Sequence, residues 1–136
     1  MSSVTRSSVV GVELGYAEIT SSYTQTGAGT SDVTGLSVTV TVGARPIVVS
    51  FNCQNVYNSA ATGLTAIYIK ESTTTLQSAT VYGSTVAIQI PVAASVRLAP
   101  SAGSHTYKIS VQQLITGNSI VSAATTGPTS IQVVEV

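Results

Sequence analysis

Three features of the sequence predict an all-β protein, a two-sheet antiparallel jelly-roll sandwich of about eight to ten short strands. Residues 37–42 (Ser-Val-Thr-Val-Thr-Val) alternate strictly, so the valines face a core and the hydroxyls face water. β-Branched residues dominate, whereas the good helix formers Leu, Lys, Arg and Glu are scarce. Turn residues interrupt the apolar runs about every 8–14 residues, and no helical period is sustained over three turns.

Residues 1–8 are rich in Ser and Thr, carry one charge, Arg6, and read as a flexible arm. Val9-Val10-Gly11-Val12-Glu13-Leu14 is apolar but broken by glycine. It is either a first short strand or a segment that orders against a partner, with Val9, Val10 and Val12 as the docking side chains. Residues 1–13 are accordingly an arm, and residues 14–136 one sandwich domain. Residues 15–22 read as a strand, with Tyr16, Glu18 and Thr20 opposed to Ala17 and Ile19. Residues 23–32 read as a loop. Their two glycines make no phosphate-binding pattern, because neither a lysine nor a helix follows.

Beyond the Gly43-Ala44-Arg45-Pro46 turn, residues 47–56 put Ile47, Val49, Phe51 and Cys53 on one face and Val48, Ser50, Asn52 and Gln54 on the other. Residues 57–63 read as a loop capping one end of the sandwich. In the strand at 64–71, Ile67 and Ile69 point inward and Tyr68 and Lys70 outward. Strands at 75–82 and 85–98 follow. In the second, Val86, Ile88, Ile90 and Val92 form one row, and Pro91 on the other row marks an edge, a bulge or a break in pairing. Pro100 to Gly103 reverses the chain into a strand whose inner row is His105, Tyr107, Ile109 and Val111. Short strands near Ile120 and over 130–136 complete the chain.

Composition narrows the function. At 136 residues the chain is one domain, long enough to bury roughly two-thirds of its unfolded surface. Charged residues make up 7%, against about 25% in ordinary soluble domains. Ser and Thr supply roughly 30%. The net charge is zero, so no basic stripe exists to displace phosphate counterions, which argues against a nucleic-acid partner. A surface so poor in charge repels its own copies weakly and favours assembly. No run of about 18 apolar residues occurs, so no membrane insertion is expected, and the first residues lack the features of a signal peptide. The expected site of synthesis is a cytoplasm. Cys53 is the single cysteine, which excludes an intrachain disulfide; on a core-facing row it reads as a small buried hydrophobe.

Catalytic chemistry finds little to work with. The five carboxylates (Glu13, Glu18, Asp32, Glu71, Glu135) are dispersed, and a sugar-stacking cleft would lack tryptophan. His105 is the single histidine, without a Gly-x-Ser-x-Gly nucleophile, and reads as a packed or hydrogen-bonded strand residue. One His and one Cys cannot build a zinc site within a chain, although three copies of His105 could meet on the axis of a trimer. Asp32 alone does not make a calcium site. No enzyme activity and no cofactor are expected. Strands apolar on both faces are more informative, because they must be covered twice. Tyr68, between Ile67 and Ile69, Val48 beside Val49, Val134 beside Val133, and Tyr16 are therefore the candidate subunit-interface residues.

Residues 98–108 (Leu-Ala-Pro-Ser-Ala-Gly-Ser-His-Thr-Tyr-Lys) resemble a turn-and-strand motif of small tumour-necrosis-factor-like jelly-roll domains in tailed-phage virion proteins. Residues 14–20 and 129–136 resemble the first and last strands of the same group. The resemblance implies a homotrimer packed about a threefold axis and displayed on the surface of a virus particle. No ligand residues carry over. A chain this short, with a short arm, suits a capsid decoration protein bound to capsid or other virion proteins. The alternative is an adhesion head of a tail fibre or baseplate that contacts a host surface glycan through the polar loops.

Overall fold

The computed structural model describes residues 11–83, 85 and 88–136. Among them are ten strands in two antiparallel sheets and no helix. In the first sheet β1 (Val12–Ile19) pairs with β10 (Thr129–Glu135), and β10 with β4 (Ile47–Asn58). β7 (Ile90–Leu98) pairs with β4 on its far side. Two short strands extend this sheet. β9 (Ser119–Val121) takes over from β10 along β4, and β2 (Tyr23–Gln25) takes over from β1 beside β9. The second sheet runs β3 (Gly29–Val42), β8 (Gly103–Gln113), β5 (Leu64–Glu71), β6 (Thr74–Tyr82). This is the jelly-roll sandwich that the strand pattern predicts.

The core is the meeting of the two inner rows. Val38, Val40 and Val42 from β3 and Tyr107, Ile109 and Val111 from β8 pack against Ile47, Val49 and Phe51 from β4 and Ile131 and Val133 from β10. Burying side chains of this size contributes about 1.5–3 kcal/mol each, which is why valine alternation suffices to order so hydroxyl-rich a chain. Gly15 in β1 lies where a Cβ would overlap the side chains of Val38 and Val40, so the first sheet approaches β3 closely there.

Several boundaries differ from the sequence expectation. β1 begins at Val12, two residues before the expected domain boundary, because Val12 and Glu13 find ladder partners in Glu135 and Val134. Val12 is thus a strand residue, whereas Val9 and Val10 lie outside the described residues. The expected loop at 23–32 instead contains β2 and the start of β3, where Gly29 to Asp32 pair with Gln113 to Ser110. Tyr57 and Asn58, expected in a loop, extend β4 because β9 supplies partners. Tertiary pairing overrides the weak strand propensity of Gly, Asn and Ser in these places. The strand expected over 85–98 begins only at Ile90; Val86 lies outside the described residues. Pro91 is exposed on β7, an edge strand, where its missing N–H costs no ladder bond.

The sandwich has two different ends. One is closed by tight turns: 43–46 and 99–102, which cross between the sheets, and 72–73, which joins β5 to β6. The other carries the connections 26–28, 59–63 and 114–118.

Candidate functional site

Register places the predicted surface residues. On the outer face of the first sheet, Val134 lies directly across from Val48, Glu13 flanks Val134, and Arg97 flanks Val48. The next outward rank is Tyr16, Gln132, Ser50 and Ser95. Three of the four predicted interface residues (Tyr16, Val48 and Val134) therefore share one face in adjacent ranks. Tyr16 is 47% exposed, and the two valines are half-buried. Their inward neighbours Val49 and Val133 are fully buried, so these strands carry apolar side chains on both faces. Gln132 Nε2 donates to Glu13 Oε1 at 3.0 Å and draws the polar groups of this corner into an internal bond.

Tyr68 lies elsewhere, on the outer face of the second sheet. Its hydroxyl donates to Gln112 Oε1 at 2.7 Å, and the Lys70 ammonium sits 5.5 Å from its ring centroid. Both its polar and its π surfaces are engaged within the chain. Beside it, Lys108 Nζ and Ser110 Oγ donate to the two Asp32 carboxylate oxygens at 2.9 and 2.7 Å. The hydrogen bond from Ser110, followed by that from Lys108, holds the Asp32 carboxyl below its ordinary 3.8.

A line of irregularities crosses the first sheet below the valine ranks. β1 gives way to β2 at 20–22, β10 to β9 at 122–128, and β4 is bulged between Cys53 and Val56. The breaks are sewn together: Ala123 N–H donates to Ser22 Oγ at 3.0 Å, Ser122 N–H to Asn55 O at 2.9 Å, and Thr129 Oγ1 to Ser122 O at 2.6 Å. Cys53 Sγ, buried as its row predicts, faces Asn55 O at 3.2 Å and Ser122 O at 3.3 Å. Where the sheet is bent along this line, an open groove of about 470 Å³ forms between Asn52 and Gln54, Pro91 and Ala93, and Pro128. A smaller hollow of about 190 Å³ continues it past Ser50 and Ser95. Its walls carry amides, hydroxyls, prolines and alanine but no charged side chain.

His105 sits at the turn end, on its strand and hydrogen-bonded as expected. Nδ1 lies 2.6 Å from Glu71 Oε2, and Nε2 lies 2.7 Å from the Ser101 carbonyl oxygen. Its ring stacks on Tyr107, with centroids 6.1 Å apart and planes 11° from parallel. Since both ring nitrogens already have partners in the chain, His105 has no free ligand atom with which to build a metal site on a trimer axis. The bonds to Glu71 and to Ser101 raise its pKa above the ordinary 6.5. The Tyr107 hydroxyl is buried with no hydrogen-bond partner among the described residues, and desolvation pushes its pKa up to about 12. The Glu71–His105 pair was not visible in the sequence, where Glu71 is one of five scattered acids. Only the β5–β8 register, with Glu71 opposite Tyr107, brings the two together. No group of three metal-ligating side chains occurs among the described residues, and no helix there is long and apolar enough to cross a membrane.

Fold and surface together define a jelly-roll sandwich with an apolar rank and an uncharged groove on one outer face. No family model and no curated protein sequence matches the chain. Among solved structures it is similar to the Eiger TNF of S. frugiperda, at TM-score 0.50 and 14% identity over 93% of each chain. It is also similar to TmCBM61 in complex with β-1,4-galactotriose, at TM-score 0.47 and 10% identity over 85% of this chain and 69% of the other. A carbohydrate-binding module from Cellvibrio mixtus lichenase 5A, in complex with cellotriose, aligns at TM-score 0.44 and 12% identity over 95% and 93%. At such identities the likeness is one of fold.

Proposed function

We propose that this chain is a non-enzymatic structural subunit of a tailed-phage virion, a homotrimer displayed on the particle surface as a capsid decoration protein after synthesis in the host cytoplasm. The observation that carries the trimer is the outward pair Val48–Val134 with Tyr16 in the next rank, on strands whose inner faces are already fully used. Covering these side chains with a second copy removes apolar surface from water at about 25 cal/mol per Å². The phage setting rests on the resemblance of residues 14–20, 98–108 and 129–136 to virion jelly rolls, and on a surface so poor in charge that copies repel weakly. Val9 and Val10 supply the contact to the shell.

Equilibrium sedimentation tests the trimer. The wild-type chain is expected at three times its 13.8 kDa monomer mass. Val48→Lys, which puts a second cation beside Arg97, is expected as a folded monomer. A wild-type monomer overturns the trimer. Deleting residues 1–10, which leaves β1 intact, is expected to abolish binding to purified capsids; full occupancy by the truncated chain overturns decoration.

The groove favours a second reading, the adhesion head. Its uncharged amides, with proline and alanine surfaces between them, suit the hydroxyls and C–H faces of a neutral glycan. Asn52→Ala with Gln54→Ala is then expected to abolish binding of the isolated protein to host cells. Host-cell binding unchanged by the pair, or absent from wild type, removes this reading.

A further inference from the structure

The two partners of His105 are both acceptors: a carboxylate oxygen at Nδ1 and a backbone carbonyl at Nε2. A neutral imidazole has one N–H and one lone pair, so it satisfies one of these oxygens and turns its lone pair on the other. Only the imidazolium donates to both. The three partners come from separate parts of the fold. Glu71 ends β5, Ser101 lies in the turn that carries the chain from β7 in one sheet to β8 in the other, and His105 is the third residue of β8.

We propose that His105 is a protonation-dependent clasp, which as the imidazolium ties the 99–102 crossing turn to the end of β5 and on losing its proton lets that turn go. Glu71 is the charged group that faces the ring from β5, and Tyr107 the titratable group beside it on β8. Its partner across the ladder on β3 is the uncharged Val40. The stacked Tyr107 ring backs the imidazole on one face, so the ring keeps its plane while the proton leaves and the loss falls on the bonds to Glu71 and Ser101. The turn is held at its ends by Leu98, paired with Ile47, and Gly103, paired with Val42, so release is confined to the residues between them. No second copy of the chain is needed. The ligand of the device is the proton itself, and the clasp is closed on the acid side of its titration.

The single histidine makes the test direct. In the full-length protein, ¹⁵N and ¹H chemical shifts of the His105 ring are followed against pH for wild type and Glu71→Gln, with amide exchange of residues 99–104 measured alongside. In wild type both ring nitrogens are expected to stay protonated through the ordinary 6.5, with a midpoint above it. Exchange in the turn is expected to gain an extra increment as the ring deprotonates. Glu71→Gln lowers the midpoint and removes that increment. A wild-type midpoint at or below the ordinary value, a single neutral tautomer on the acid side of 6.5, or the same titration in both proteins overturns the clasp. Should Glu71→Gln fail to fold, the wild-type ring shifts decide alone.

Discussion

The two ends of this sandwich are closed by different chemistry. At the turn end a titratable pair does the closing: His105 between Glu71 and the Ser101 carbonyl. At the loop end no charge takes part in the bonds that join the connections. Asn58 Oδ1 accepts from Ala60 N–H at 2.9 Å, Asn118 Oδ1 from Gly27 N–H at 3.1 Å, and Ser59 Oγ from Asn118 N–H at 2.8 Å. Beneath them Thr65 and Ser119 share a buried hydroxyl bond of 2.8 Å. Gly63 and Gly117 are packed so tightly on Asn58 that a Cβ at either would overlap its side chain. One end is therefore addressable by protons and the other by shape alone.

The largest effect is expected from breaking the loop end. Gly117→Ala places a side chain at φ 79° and into Asn58, and is expected to destabilise the protein by about 3 kcal/mol in urea unfolding. A loss under about 1 kcal/mol would show that the lattice yields easily. Asn58→Ala follows. It leaves the Ala60 N–H without its acceptor and is expected to cost about 2 kcal/mol, by equal amounts on either side of neutrality.

At the turn end the signature is pH dependence. The folded-state pKa of His105 is raised, so the stability it contributes is complete below the ordinary 6.5 and is lost as pH rises through the folded value. The melting temperature of wild type is expected to fall as pH rises above 6.5, and that of His105→Gln to stay level over the same range. A level wild-type profile contradicts this. Asp32, lowered below its ordinary 3.8, acts in the opposite sense: its contribution is present above 3.8 and is lost as pH falls through the folded value. Asp32→Asn is expected to remove part of the acid-side decline, a small effect because the salt bridge is exposed to solvent. Smallest of all, Tyr68→Phe gives up the bond to Gln112 and is expected to cost less than about 1 kcal/mol, read as a shift in the urea midpoint.

What the sequence discloses follows the same division. The alternation at 37–42, the inward rows of β4, β5 and β8, and the exposed row of Tyr16 and Glu18 are local patterns with a period of two, and the structure keeps them. Pairs that need a register are another matter. That Val48 and Val134 stand side by side while Tyr68 is on the far sheet depends on strand order, which periodicity does not encode. Glu71 and His105 are 34 residues apart, and neither has a local feature that names the other. The polar stretches at 23–32 and 57–63 look like loops residue by residue. Residues 23–25, 29–32 and 57–58 of them become strand because β8 and β9 offer partners, an energy no single segment contains.

Cys53 gives the seam across the first sheet a kinetic meaning. Its thiol is 5% exposed and its sulfur faces two carbonyl oxygens, one in the bulge of β4 and one at the break after β9. A thiol reagent in solution reaches that sulfur only during the moments when the stitched breaks part. The rate at which the single cysteine is consumed is thus a clock for motion at the waist of the sandwich. It keeps time there while both ends stay shut.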